Sequence, residues 1–157
     1  MFSDQNVLAF IVAGRAFTVA HEISVTQDCD YVDVTIVASS SQTEVLRAEA
    51  TMHDAVSFEH HPILTGDAAH EILTSYFVDE SVFVGGEANP WLVVIEAPQP
   101  NLTAEILTEA LDRLFLAPAV ESLVCDERGS AFAVVSHAAF MREGRVVLEG
   151  AMHFQTV

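Results

Sequence analysis

An α+β fold with a largely antiparallel sheet wrapped on a helix is what this sequence predicts, and three observations lead there. The candidate elements run strands, helix, strand, helix, strands, without an alternating βαβ rhythm. Two early segments alternate apolar with polar residues, as half-buried antiparallel strands do. No Rossmann or P-loop glycine pattern appears.

The first half reads as strands over Val7 to Val12, Phe17 to Val25, Tyr31 to Ala38 and Val45 to His53, all rich in β-branched residues and separated by turn formers. In the third, Val32, Val34, Ile36 and Ala38 alternate against Asp33 and Thr35. In the fourth, Leu46, Ala48, Ala50 and Met52 alternate against Arg47, Glu49 and Thr51. Ser39-Ser40-Ser41-Gln42 joins the two as a hairpin loop of common length.

A first helix is expected from Asp67 to about Val78, with Thr65 as cap and Ala69, Ile72, Leu73, Tyr76 and Phe77 as its apolar face. After Gly85-Gly86, Trp91 to Ala97 reads as a buried strand that Pro98-Gln99-Pro100 ends. Ile106, Leu107, Ala110, Leu111, Leu114 and Phe115 then trace an amphipathic helix stopped by Pro118. Ala131 to Phe140 and Arg145 to Phe154, joined by Arg142-Glu143-Gly144, read as a closing hairpin with His137 and His153 as cross-strand neighbours.

With 157 residues and 17.0 kDa the chain fits one domain, 1–157, in which residues 1–30 add N-terminal strands. Hydrophobic residues make up 51% of it and the mean hydropathy is +0.35, which points to surface buried in a homodimer or higher homo-oligomer. Six Arg, no Lys and 23 Asp plus Glu give a formal charge of −17, which repels phosphate backbones and anionic membranes. Nucleic acid and membrane are thereby set aside as partners, and the same charge suits a salt-rich host. No apolar run approaches the roughly 20 residues of a membrane span, and no secretory signal is visible, so a cytoplasmic location is expected. Two cysteines, Cys29 and Cys125, are too few for a disulfide framework.

Titratable residues crowd the stretch from Ser57 to Glu71, at the entry to the first helix. Helix N-termini present unpaired N–H groups and partial positive charge, so Gly66 offers an oxyanion donor while His60 or His61 and Glu71 supply base and acid. His60, His61, His70 and Glu71 lack an HExxH or similar metal spacing; no metal and no cofactor are expected.

Phe58, Pro62, Gly66 and Glu71 stand where hotdog-fold β-hydroxyacyl-ACP dehydratases carry His-Phe-Pro-Gly-x-Pro-x-x-Pro-Gly and a following carboxylate, and from about residue 31 the chain resembles that family. Ser57 occupies the position of the family's catalytic His, Glu59 and His60 replace Pro-Gly, and Thr65 replaces the second Pro. The resemblance implies an antiparallel sheet around a central helix, with an additional amphipathic helix from Thr103. It also implies an enzyme of acyl thioesters, a 3-hydroxyacyl dehydratase or thioesterase of fatty-acid or polyketide-type metabolism, with substrate carried on acyl carrier protein or coenzyme A. Catalysis would fall to His60, His61 and Glu71, and substrate binding to Gly66, Ser57, Phe58 and Pro62. The alternatives are a non-catalytic hotdog subunit and a small acidic dimeric chaperone-like protein.

Overall fold

The computed structural model describes residues 7–14, 16, 18–40, 44–59, 68–79, 90–117, 119–143 and 150–155. They form a mixed seven-stranded sheet in the order β3-β2-β1-β4-β6-β5-β7, with helices on both faces. The elements in chain order are β1 (Val7–Val12), α1 (Ala20–Gln27), β2 (Val34–Ser39), α2 (Glu44–Met52), β3 (Val56–Glu59) and α3 (Ala68–Asp79), followed by β4 (Trp91–Glu96), α4 (Ala104–Phe115), β5 (Ser122–Cys125), β6 (Phe132–Ser136), α5 (His137–Glu143) and β7 (Met152–His153).

β1 explains the architecture. Its sequence VLAFIV has no polar position, and all of it is buried, because β1 lies between β2 and β4 and is covered by helices above and below. It pairs in parallel with both neighbours, Phe10 opposite Ile36 on one side and Val94 on the other. β2 pairs in parallel with β3, while β6 runs antiparallel to β4 and β5.

Successive strand residues point to opposite faces, and the two cores follow that alternation. Val7, Ala9, Val93, Ile95, Leu123 and Val134 pack against Val25 and Cys29, at the end of α1, and against Leu107, Leu111 and Leu114 of α4. Ile11 and Val37 continue this face beneath Ile23 of α1 and Leu46 and Ala50 of α2. Leu8, Phe10, Ile36, Phe58, Leu92 and Val94 face the other way, onto Ile72, Leu73 and Tyr76 of α3 and Phe140 of α5. Tyr76 stands edge-on to Phe10 at 5.0 Å and to Phe58 at 5.2 Å, pairs worth about 0.5–1.5 kcal/mol each beyond their burial.

α3, β4 and α4 lie where the sequence reading puts them. Thr103 caps α4 by accepting from the Ile106 N–H at 3.1 Å, and Arg113 in the last turn complements the helix dipole.

The hotdog expectation is overturned: the sheet is largely parallel in the half that holds β3, β2, β1 and β4, and α/β replaces α+β. Two segments read as strands are helical. Residues 20–27 form α1 although Ile23, Val25 and Thr26 are β-branched, since tertiary packing overrides so weak a propensity. In α2 the alternating set Leu46 to Met52 is a helix in which Leu46 and Ala50, four apart, are buried and Met52 is 76% exposed. Among the described residues the expected closing hairpin is replaced: His137 begins α5, and β7 pairs in parallel with β5, His153 opposite Val124, while residues 144–149 lie outside the described residues. The N-terminal stretch expected to add strands holds the fully buried strand β1, third in the sheet, and α1. Among the described residues no helix is long and apolar enough to cross a membrane.

Candidate functional site

In an open parallel sheet the strand order reverses at one point, and there the loops leaving two neighbouring strands turn to opposite faces and leave a crevice at the carboxyl ends. Here that point lies between β1 and β4: β1 continues through α1 to β2 on one side, and the chain reaches β4 on the other side only after β3 and α3. α1 covers one face and α3 the other.

The crevice is built from the ends of these strands. The ladder is carried past β1 by the Ala13 N–H to Ala38 O and the Ala97 N–H to Val12 O, both 2.9 Å, so the backbone is held in register up to the exit turn. The Ala16 N–H then donates to Ala13 O at 2.9 Å, and Gly14 sits within that turn at φ +57. A Cβ on Gly14 would meet nothing within 4 Å, so the backbone angle, rather than space, is what favours glycine, and the turn is open to an approaching group. Arg15 follows in the sequence.

Across from it, Glu96 is the last residue of β4 and pairs with Val12. It continues the row of Leu92 and Val94, which places it on the face that carries α3, and it is exposed. The neighbouring strand ends bring Ser39 opposite Glu59. Glu59 meets Arg47 only at 3.8 Å between half-exposed side chains, a contact of little energetic weight.

The N-terminus of α1 is already occupied by the chain itself. Glu49 of α2 accepts the Val19 N–H through Oε1 at 2.9 Å and the Thr18 hydroxyl through Oε2, and the Ala20 N–H donates to Thr18 Oγ1 at 3.2 Å. These contacts satisfy donors that a helix otherwise leaves open at its start. With Glu49, Glu59 and Glu96 on this edge and Arg47 beside Glu59, an anionic ligand meets net negative charge, which an accompanying cation would offset.

Of the residues first singled out, Ser57, Phe58 and Glu71 are described, while His60, His61, Pro62 and Gly66 lie outside the described residues. Phe58 is core, beneath Tyr76; Ser57, paired with Val37, turns to the face of α1 and α2; Glu71 is half-buried in the first turn of α3 on the opposite face. The sheet therefore separates Ser57 from Glu71. Gly14 and Glu96 went unnoticed in the sequence. Their signal was the pair of uninterrupted apolar runs that precede them, Val7 to Val12 and Leu92 to Ile95, since such runs mark parallel strands buried on both faces.

No family model matches the chain, and no curated protein matches it. Solved structures do. A cytidylyltransferase from Leptospira borgpetersenii serovar Hardjo-bovis aligns at TM-score 0.60 and 10% identity over 88% of this chain, which spans 63% of that enzyme's length. 4-Diphosphocytidyl-2C-methyl-D-erythritol synthase aligns at TM-score 0.72 and 12% identity over 98% of this chain and 90% of that one. Mycobacterium tuberculosis glucosyl-3-phosphoglycerate synthase aligns at 0.65 and 13%, over 96% and 70%.

The similarity lies in the fold, and it overturns the acyl-thioester assignment. A hotdog dehydratase or thioesterase wraps an antiparallel sheet around one helix, whereas this chain shares the layered sheet of nucleotidyl- and glycosyl-transferring enzymes. Acyl carrier protein, coenzyme A and fatty-acid metabolism lose their support with it. The chaperone-like and non-catalytic hotdog alternatives gain none.

Proposed function

We propose that the chain binds the Mg²⁺ complex of a pyrimidine nucleotide in the crevice between β1 and β4 and belongs to the nucleotidyl-transferring class. The observation that carries this reading is the adjacency, at the point of strand reversal, of the open Gly14 turn and the Glu96 carboxylate. Neighbours of this fold have been crystallised with CTP and with Mg²⁺ and uridine-diphosphate, which supports a pyrimidine nucleotide as ligand.

The donor set fits a metal that arrives with its nucleotide. Among the described residues no group of three or more His, Cys, Asp or Glu gathers to hold an ion. Mg²⁺ does not require one, being commonly held by one or two carboxylates together with phosphate oxygens and water. Glu96 is the carboxylate that would hold it, and the ion would add positive charge to a lysine-free, strongly acidic chain whose cations are six Arg. The Ala13–Ala16 turn positions the phosphates. In the reaction an oxygen of the acceptor attacks the α-phosphorus, the bond to the bridging oxygen breaks, pyrophosphate leaves, and any proton on the attacking oxygen passes to water. A cytoplasmic location goes with this reading, since it is where nucleoside triphosphates are abundant and thiols such as Cys29 and Cys125 stay reduced.

Calorimetric titration of CTP and UTP with and without Mg²⁺ tests the proposal. Mg²⁺-dependent binding is expected with Kd between about 1 μM and 1 mM. Glu96→Gln weakens it about 10- to 100-fold in Mg²⁺, yet in chelator the same change leaves nucleotide binding equal or slightly tighter, because a repelling charge is gone. Equal Mg²⁺-dependent affinity in both proteins, or none in the wild type, contradicts the proposal. Release of UDP from a UDP-sugar, without pyrophosphate release from CTP, would move the assignment to glycosyl transfer.

A further inference from the structure

We infer that Glu22 of α1 is a positioning residue for Glu96, acting through Gln99; the inference rests on the nucleotide-binding reading and extends it. Glu22 is 3% exposed, an unusual place for a carboxylate on a helix whose neighbours are Ile23 and Val25. Burying such a group is costly unless it is hydrogen-bonded, and Glu22 Oε2 accepts the Gln99 N–H at 2.9 Å, across 77 residues of sequence.

Gln99 is the hub of the turn that leaves Glu96. Its Nε2 donates to the Glu96 carbonyl at 2.8 Å and its Oε1 accepts the Ala131 N–H at 2.8 Å. Its own carbonyl accepts the Leu102 N–H at 3.2 Å. The far end of the turn is held by the same helix, since His21 Nε2 lies 2.8 Å from the Leu102 carbonyl and must donate to it. Adjacent residues of α1 thus grip both ends of the β4–α4 turn.

The same first turn of α1 is fixed where the chain enters it from the Gly14 turn, by the Glu49 contacts to Thr18 and Val19. The first turn of α1 therefore links the turn proposed for the phosphates to the turn that sets Glu96. A purely packing role at position 22 would be met by an apolar side chain, as it is at Ile23. The carboxylate adds a specific acceptor for one N–H, and through Gln99 it fixes the carbonyl of Glu96 itself. Supporting contacts of this kind are worth about 10- to 100-fold in metal affinity.

The test measures, in the full chain, the Mg²⁺ concentration that gives half-maximal CTP binding, alongside CTP binding in chelator. Glu22→Ala is expected to raise the Mg²⁺ requirement about 10-fold while leaving metal-free binding unchanged. Glu22→Gln, whose amide oxygen still accepts from Gln99, restores the wild-type requirement to within about threefold. Should Glu22→Ala fail to fold, Gln99→Ala removes the link to the Glu96 carbonyl from a partly exposed turn and is expected to raise the requirement about three- to tenfold. An unchanged Mg²⁺ requirement, or weakening by the same factor with and without Mg²⁺, overturns the positioning role and leaves the proposed function standing. Absence of Mg²⁺-dependent CTP binding by the wild type overturns both.

Discussion

α1 and α4 lie side by side on one face of the sheet, but they are held there by different means. α4 carries its own instructions: Leu107, Ala110, Leu111 and Leu114 form a stripe at helical spacing, Thr103 caps it from the adjoining residue, and Arg113 pairs with Glu109 one turn back. α1 depends on distant parts of the chain. Its cap comes from Glu49, thirty residues away, its buried Glu22 answers to Gln99, and its β-branched residues favour a strand. The helix that borders the proposed site is the one with the weaker local code. A helix specified by its own stripe resists change, whereas one specified by long-range hydrogen bonds ties the geometry of two separate turns together.

The largest effect expected from this contrast is in α4. Leu111→Ala removes a fully buried side chain from the core and should lower unfolding free energy by about 2–5 kcal/mol, measured by urea denaturation, with Mg²⁺-dependent nucleotide binding of the folded fraction retained. A loss of binding out of proportion to the loss of fold would break the separation drawn between the two helices.

Cap removal sharpens the same comparison. Glu49→Ala and Thr103→Ala should each cost about 1 kcal/mol. Hydrogen exchange should then accelerate at Val19 and Ala20 in the first variant and at Ile106 in the second. Glu49→Ala should alter nucleotide affinity more than Thr103→Ala, because it also releases the Thr18 and Val19 segment that follows the Gly14 turn. Equal effects of both caps on affinity would contradict the distinction.

The smallest effect is at the far end of α1. There the Tyr31 hydroxyl donates to Asp112 of α4, a bond that pushes the phenol from 10.0 up to about 12. A raised pKa means the bond contributes fully below about pH 10 and is lost as pH climbs through that value toward 12. In a Tyr76→Phe background, ultraviolet titration should show the remaining tyrosine ionising near 12, and Asp112→Asn should return it toward 10. Titration near 10 in both proteins would remove this latch from the account.

The same contrast explains what could be read from the sequence. α3, β4 and α4 were legible because their apolar residues recur at one period only. α2 was not, since Leu46, Ala48, Ala50 and Met52 satisfy a strand's period of two and, through Leu46 and Ala50, a helix's spacing of four as well. Val7 to Val12 reads as a strand, but not as one held between two parallel partners, because direction and neighbours are set by crossovers that no local pattern records. The histidines before α3 stand out instead, because titratable groups crowd there. Glu96 passed for an ordinary polar strand end, since its significance comes from lying beside Val12 and the Gly14 turn.

The central claim is that the crevice between β1 and β4 receives a Mg²⁺-bound pyrimidine nucleotide, and amide chemical-shift mapping by NMR during addition of CTP with Mg²⁺ tests it most directly. The largest saturable shifts are expected on Ala13, Gly14 and Ala16 and on Glu96, Ala97 and Gln99, and they should collapse when Mg²⁺ is chelated. Shifts confined to the β5 and β7 edge, or a spectrum that CTP and Mg²⁺ leave unchanged, would contradict it.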